Sequence, residues 1–223
     1  MNGQLLLLML CERLLELGAT IYQVNTDGVL YSLKKAKLDE LNKVIEEFQQ
    51  LSRLNFETEE FTCFYQLAVN DYFGLQPNGE IKEKGSFITK VIRGKGLTPK
   101  IIPKAVIKYF LEGIKPDEYI KSCTDIKDFL MSEKTGKQWN VEYNDTPQQR
   151  TNRFYASTNG HFLYKWKIDK GEKKYQNMLT ASGVTLLNNF DDLAENPKIN
   201  YQYYITEANK IIAQFKTKQL SLF

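Results

Sequence analysis

Ile21-Tyr22-Gln23-Val24-Asn25-Thr26-Asp27-Gly28-Val29-Leu30-Tyr31-Ser32-Leu33 is two apolar, β-branched and aromatic runs joined by a four-residue polar turn that ends in Asp-Gly. This pattern predicts a β-hairpin with an acid at its tip. Glycine supplies the positive φ that such a turn demands, and the reversal pushes the Asp27 carboxylate away from both strands, where a hard cation could meet it. Most Asp-Gly turns only bond their own backbone, so the neighbouring elements decide between a turn and a site. A helix over Leu5 to Leu17 leads into the hairpin and a charged helix over Ala36 to Asn55 leads out. A Val69-Asn70-Asp71-Tyr72-Phe73 strand and a Lys82-Glu83-Lys84-Gly85 turn follow.

Composition limits what chemistry the chain can carry. With 223 residues, 42% of them hydrophobic, it can bury a real core and form one large or two small domains. The apolar run Leu5 to Leu10 is broken by Glu12, Arg13 and Glu16, well short of a membrane span, and lacks the basic start of a signal peptide. We therefore expect a mostly buried helix, no membrane partner and a cytoplasmic protein. The three cysteines, Cys11, Cys63 and Cys123, are far apart, and His161 is the single histidine. That argues against a zinc cluster, a disulfide framework or Cys-His nucleophilic catalysis. His161 is expected in a surface turn ahead of a Phe162 to Ile168 strand.

The net charge is only +3, but its distribution is uneven. Lys82, Lys84, Lys90, Arg93, Lys95, Lys100, Lys104 and Lys108 form a basic stretch, with Gly85, Gly94 and Gly96 permitting close backbone approach. A second cluster comprises Arg150, Arg153, Lys165, Lys167, Lys170, Lys173 and Lys174. Such density suits phosphate neutralisation without base readout, and equally suits a solvated face.

The order helix, Asn25-Thr26-Asp27-Gly28 hairpin, helix, Asp71-Tyr72 strand and Lys84-Gly85 turn resembles the second half of the palm of a family B, phage-type DNA polymerase. The hairpin resembles that family's motif C, usually Asp-Thr-Asp-Ser, with Asn25 at the first aspartate and Gly28 at the serine. The resemblance implies that Asp27 is the catalytic, metal-holding carboxylate and that magnesium, with manganese as a substitute, is the cofactor. Val69-Asn70-Asp71-Tyr72 aligns with the primer-gripping Lys-Lys-Arg-Tyr element, keeping the tyrosine, and Lys84-Gly85 matches the family's Lys-Gly pair. It follows from the resemblance that Tyr72, Lys82, Lys84, Gly85, Arg93 and Lys95 contact primer-template DNA.

Motif A, the fingers helix of motif B and the exonuclease Asp-x-Glu are absent from these 223 residues. One carboxylate cannot organise two metals, so the expectation is a C-terminal polymerase part, inactive alone, whose deoxynucleotide site needs a separate N-terminal polymerase chain. The expected fold class is α+β: residues 1–93 as half a palm with an antiparallel hairpin sheet and helices, and residues 94–214 as a mostly helical thumb with a small β insertion. Helices are expected at Ile102 to Gly113, Glu118 to Cys123, Ile126 to Met131 and Ile205 to Phe215, and strands at Arg153 to Ser157 and Phe162 to Ile168.

Residues 215–223 are expected to be a flexible tail. Gln219-Leu220-Ser221-Leu222-Phe223 matches the bacterial sliding-clamp-binding pentapeptide at every position, behind a Lys216-Thr217-Lys218 spacer. Leu220, Leu222 and Phe223 supply apolar anchors and Gln219 an oriented hydrogen bond; packing of Leu222 and Phe223 onto the domain is the alternative. Two other function classes stay open. One is a non-catalytic DNA-binding or clamp-binding accessory protein, or truncated polymerase remnant, in which Asp27 is a relic. The other is an unrelated α+β interaction domain.

Overall fold

The computed structural model describes residues 2–26, 28–90, 98–179 and 182–220. The fold is α+β with antiparallel sheets, and the chain divides into two compact units. One comprises Met1–Thr62 with Gln76–Asn78, the other Cys63–Leu75 with Gly79–Phe223.

In the first unit α1 (Asn2–Glu16) places Leu10 and Leu14, four residues apart, on one buried face, with Leu6 and Leu17 packed beside them. Its opposite face leaves Leu5, Leu8 and Leu15 exposed. Gly18 stops it at φ +84°, and Ala19 N–H returns to the Leu14 carbonyl at 3.0 Å, satisfying a terminal acceptor. The hairpin is β1 (Thr20–Val24) against β2 (Val29–Ser32), with a bulge between Ile21 and Gln23. Helix α2 (Leu38–Ser52) begins with Asp39 and Glu40, which favour a helix start. It buries Leu41 and Phe48 seven residues apart and stops at Arg53 in a left-handed conformation. Phe48 meets Phe56 edge-on at 5.4 Å, closing this small core.

The second unit opens with a three-stranded sheet, β3 (Cys63–Ala68), β4 (Asp71–Leu75) and β5 (Ile81–Lys84), in that order. Val69 and Asn70 form the turn between β3 and β4, so the strand expected to start at Val69 starts at Asp71. Lys82 to Lys84 is strand, and the turn expected there begins at Gly85, opening a 3-10 segment through Phe87. Helices α3 (Ile101–Glu112), α4 (Pro116–Ser122) and α5 (Ile126–Phe129) follow.

Beyond α5 the chain departs from the mostly helical expectation. It runs through seven strands: β6 (Met131–Lys134), β7 (Asn140–Tyr143), β8 (Thr146–Gln148), β9 (Thr151–His161), β10 (Leu163–Asp169), β11 (Glu172–Asn177) and β12 (Val184–Leu186). They form two antiparallel sheets, β11-β10-β7-β8 and β12-β9-β6. Only β9 and β10 carry enough apolar alternation to be read from sequence; the other five are short or polar, four of them held by pairing with those two and β8 by pairing with β7. His161 ends β9, exposed, edge-on to Tyr143 at 5.7 Å, and the turn falls on Phe162.

Helix α6 (Tyr201–Leu220) is 20 residues long, well beyond its apolar signal, because flanks with weaker apolar signal continue the helix on either side of Ile205 to Phe215. Its buried positions Tyr204, Ile205, Ala208, Ile212 and Phe215 keep helical spacing. Phe215 joins Tyr65, Phe73, Phe87 and Phe110 in an aromatic cluster, so the tail expected from residue 215 starts inside the core and its Lys216-Thr217-Lys218 stretch is helical.

Tyr204 ties three elements together: its hydroxyl donates to the Phe129 carbonyl at 2.9 Å and accepts from Ala156 N–H at 2.7 Å. Tyr204→Phe strands both backbone partners in a dry site, and is expected to cost about 2 kcal/mol in urea unfolding. Burial also pushes the Tyr204 phenol well above its ordinary range and the Tyr203 phenol up to about 12, the latter with Glu207 adding to the effect. Above pH 10 the unfolded tyrosines release protons that the folded ones keep, so the unfolded state binds fewer protons and stability falls as pH rises. The urea midpoint is expected to drop between pH 10 and 12, less steeply in Tyr204→Phe.

Candidate functional site

One candidate site is the hairpin of the first unit. Asn25 N–H donates to the Gly28 carbonyl at 3.0 Å next to the Val24–Val29 pair, so the chain reverses between Asn25 and Gly28 as the sequence implied. Asp27 itself lies outside the described residues. Beside the turn, α1 and β1 enclose an apolar groove of about 990 Å³. Leu7, Leu8, Cys11, Leu15 and Val24 line it, and Asn25 and Thr26 form its polar end. Burial, followed by the nearby Glu12 charge, pushes the Cys11 thiol up, making it an apolar wall and not a nucleophile. The outer edge of β1 pairs with no strand among the described residues.

Another candidate surface, in the second unit, is the β3-β4-β5 sheet. Directly opposite residues of an antiparallel pair share a face, and the pairs are Tyr72–Lys84, Gly74–Lys82, Phe64–Gly74 and Gln66–Tyr72. Phe64, Tyr72, Lys82 and Lys84 are therefore on one face, while Tyr65 and Phe73 turn to the aromatic core on the other. Phe64 and Tyr72 are 4.7 Å apart between ring centroids, and Lys84 Nζ lies over the Tyr72 ring at 5.7 Å. This surface combines aromatic area with two cations that can reach a phosphate.

Gly85 fixes where this surface ends. Its φ is +68°, and a Cβ there would run into the Asn70 carbonyl oxygen and the Asp71 carboxylate. That carboxylate accepts from Ser86 N–H at 2.5 Å and Ser86 Oγ–H at 2.6 Å. Glu83 holds the next turn, accepting from Thr89 N–H at 2.7 Å and Thr89 Oγ1–H at 2.6 Å. Sequence reading missed both braces and the part of Phe64. The alternation Lys82-Glu83-Lys84 was the available signal: it puts Glu83 on the opposite face from the lysines, toward the loop it holds.

Of the residues the sequence singled out, Tyr72, Lys82, Lys84 and Gly85 come together. Arg93, Lys95, Ser221, Leu222 and Phe223 lie outside the described residues; Gln219 and Leu220 end the α6 backbone. Among the described residues no three His, Cys, Asp or Glu side chains converge on a metal-sized site. Nor is any described helix long and apolar enough to cross a membrane. Comparison with protein-family models gives no match, and comparison with curated proteins gives none.

Proposed function

We propose that this chain is the C-terminal part of a DNA-directed DNA polymerase, completed by a separate polypeptide that supplies motif A, the fingers and any exonuclease. The observation that carries the reading is the face on which Tyr72, Lys82 and Lys84 meet above a turn that admits only glycine. A gripping surface of this kind binds a duplex through its backbone whatever its sequence, as a polymerase must. The groove beside the hairpin supports incompleteness: its apolar walls, next to a β1 edge that pairs with no strand among the described residues, suit an added strand with apolar side chains.

In this reading Asp27 contributes one carboxylate to magnesium, or manganese in its place, and the Asn25 side chain a neutral polar group. The bound ions would stabilise the attacking 3′ oxygen and the departing pyrophosphate. Tyr72, Lys82 and Lys84 position the primer duplex, Arg93 and Lys95 extend the basic path, and Gly85 holds the turn. The test is fluorescence anisotropy with a primer-template duplex. Lys82→Gln and Lys84→Gln are each expected to weaken binding equally across sequences and to reduce the salt slope by about 1. Wild-type affinity and slope in both would contradict the assignment.

Gln219, Leu220, Ser221, Leu222 and Phe223 form the sliding-clamp ligand, with Leu220, Leu222 and Phe223 as anchors. Phe223→Ala is expected to weaken binding to an immobilised bacterial sliding clamp by about 2 kcal/mol, roughly thirtyfold, measured by surface plasmon resonance.

A further inference from the structure

The β11-β10-β7-β8 sheet has two unlike faces. Leu163, Val141 and Tyr143 share one of them and pack into the core of the second unit. The pairing Tyr164–Asn177, Trp166–Tyr175 and Ile168–Lys173 puts Tyr164, Trp166, Ile168, Lys173 and Tyr175 on the other. None of these five joins the hydrophobic core. Tyr175 is 57% exposed and Ile168 59%, and all six residues of β11, the edge strand, are exposed.

The rings form a continuous patch. Tyr164 and Tyr175 are 5.6 Å apart between centroids, Trp166 and Tyr175 6.5 Å, and Lys173 Nζ lies 4.2 Å above the Trp166 ring. The Trp166 indole N–H donates to Glu142 at 2.7 Å and the Tyr164 hydroxyl to Asp145 at 3.4 Å, so the carboxylates bordering the patch are engaged in orienting rings. Residues 163–177 carry five lysines against two carboxylates. Asp169 is paired with Lys174, while Lys170 and Lys173 have no carboxylate partner among the described residues; Lys167 lies on the opposite face, its Nζ 5.2 Å over the Trp139 ring.

Lysines on an edge strand guard against strand addition, but that role does not call for a row of rings beside them, with Tyr175 exposed and Tyr164 and Trp166 half-buried. Rings with unpaired cations at their margin are what a single-stranded nucleic acid needs: flat surfaces for unpaired bases and charges along the backbone. We propose that this face is a single-strand platform on which Tyr175, Tyr164 and Trp166 stack bases while Lys170 and Lys173 neutralise phosphates. The occupant is single-stranded DNA; the choice of DNA over RNA rests on the polymerase reading above, whereas the platform itself shares no residue with it. A polymerase part with such a surface holds unpaired template as well as duplex.

The test is anisotropy of a labelled oligo(dT) with the full chain, without magnesium, nucleotide or a partner polypeptide. Oligo(dT) is expected to bind at least as tightly as oligo(rU), with a salt slope of about −1.4 from two lysines. Tryptophan fluorescence is expected to fall on binding. Tyr175→Ala, at an exposed position that leaves the fold intact, is expected to weaken binding roughly tenfold, Tyr175→Phe to retain it, and Phe190→Ala, an exposed ring outside the sheet, to have no effect. Absence of oligo(dT) binding, tighter binding of oligo(rU), tryptophan fluorescence unchanged on binding to the unsubstituted chain, or unchanged affinity in Tyr175→Ala would each overturn the proposal. Because no primer extension is involved, failure of the polymerase reading leaves this result standing, and its failure leaves primer extension untouched.

Discussion

Replacing Asp27 with alanine is expected to lower magnesium-dependent primer extension by the completed enzyme on the order of a thousandfold. The reason is charge. In phosphoryl transfer the protein contributes little covalent chemistry, and the metal ions supply several kcal/mol of transition-state stabilisation. Each 1.36 kcal/mol lost is about tenfold in rate. With Asn25 in place of a second acid, Asp27 is the sole carboxylate of the Asn25-Thr26-Asp27-Gly28 turn, so no neighbour can stand in for it. Asp27→Asn is expected to fail as severely, because it keeps the shape and removes the charge. Single-turnover extension of a labelled primer measures both; near-normal rates in Asp27→Ala would make this aspartate an ordinary turn residue.

The second large effect is on the fold. Gly85→Ala is expected to destabilise the second unit on the order of 3 kcal/mol. Part of this is the cost of a left-handed conformation for alanine. The rest is steric: the new methyl meets the Asn70 backbone carbonyl and an Asp71 carboxylate pinned by two bonds from Ser86, none of which can swing aside. Duplex binding is expected to fall as well, since Lys84 adjoins the displaced turn. Gly79 is the control. It has φ +84° but open space around its Cβ position, so Gly79→Ala should cost only about 1 kcal/mol. Equal urea midpoints for the two variants would show that the Gly85 contact does not constrain the turn.

The parts legible in the sequence were those with one strong local period. The helices expected over Leu5 to Leu17 and Ala36 to Asn55 and the Ile21 to Leu33 hairpin appear as α1, α2 and β1 with β2, but α1, expected to be mostly buried, buries one face with Leu10 and Leu14 and leaves Leu5, Leu8 and Leu15 exposed. The Tyr72–Lys84 pair was legible as two separate residues, but their contact depends on the register between β4 and β5, which no local pattern states. The same holds for β6, β7, β8, β11 and β12. Glu172-Lys173-Lys174-Tyr175-Gln176-Asn177 is polar throughout and becomes a strand because β10 offers it an edge. The aromatic face built on Trp166 and Tyr175 was hidden for that reason: the lysines beside it were counted as charge, and the rings became a surface only once the strands paired. The length of α6 was obscured by its flanks, which contribute helix with a weaker apolar signal.

The measurement that bears most directly on the central claim is extension of a short primed DNA template with magnesium and deoxynucleotides. It compares this chain alone, the upstream polypeptide alone, and the two together, each with wild-type or alanine at position 27. The account predicts templated extension only in the mixture and its loss with Asp27→Ala. Extension by the 223 residues alone would contradict the split-enzyme account. No extension in the mixture, with duplex or clamp binding retained, would contradict catalysis and leave an accessory protein or polymerase remnant.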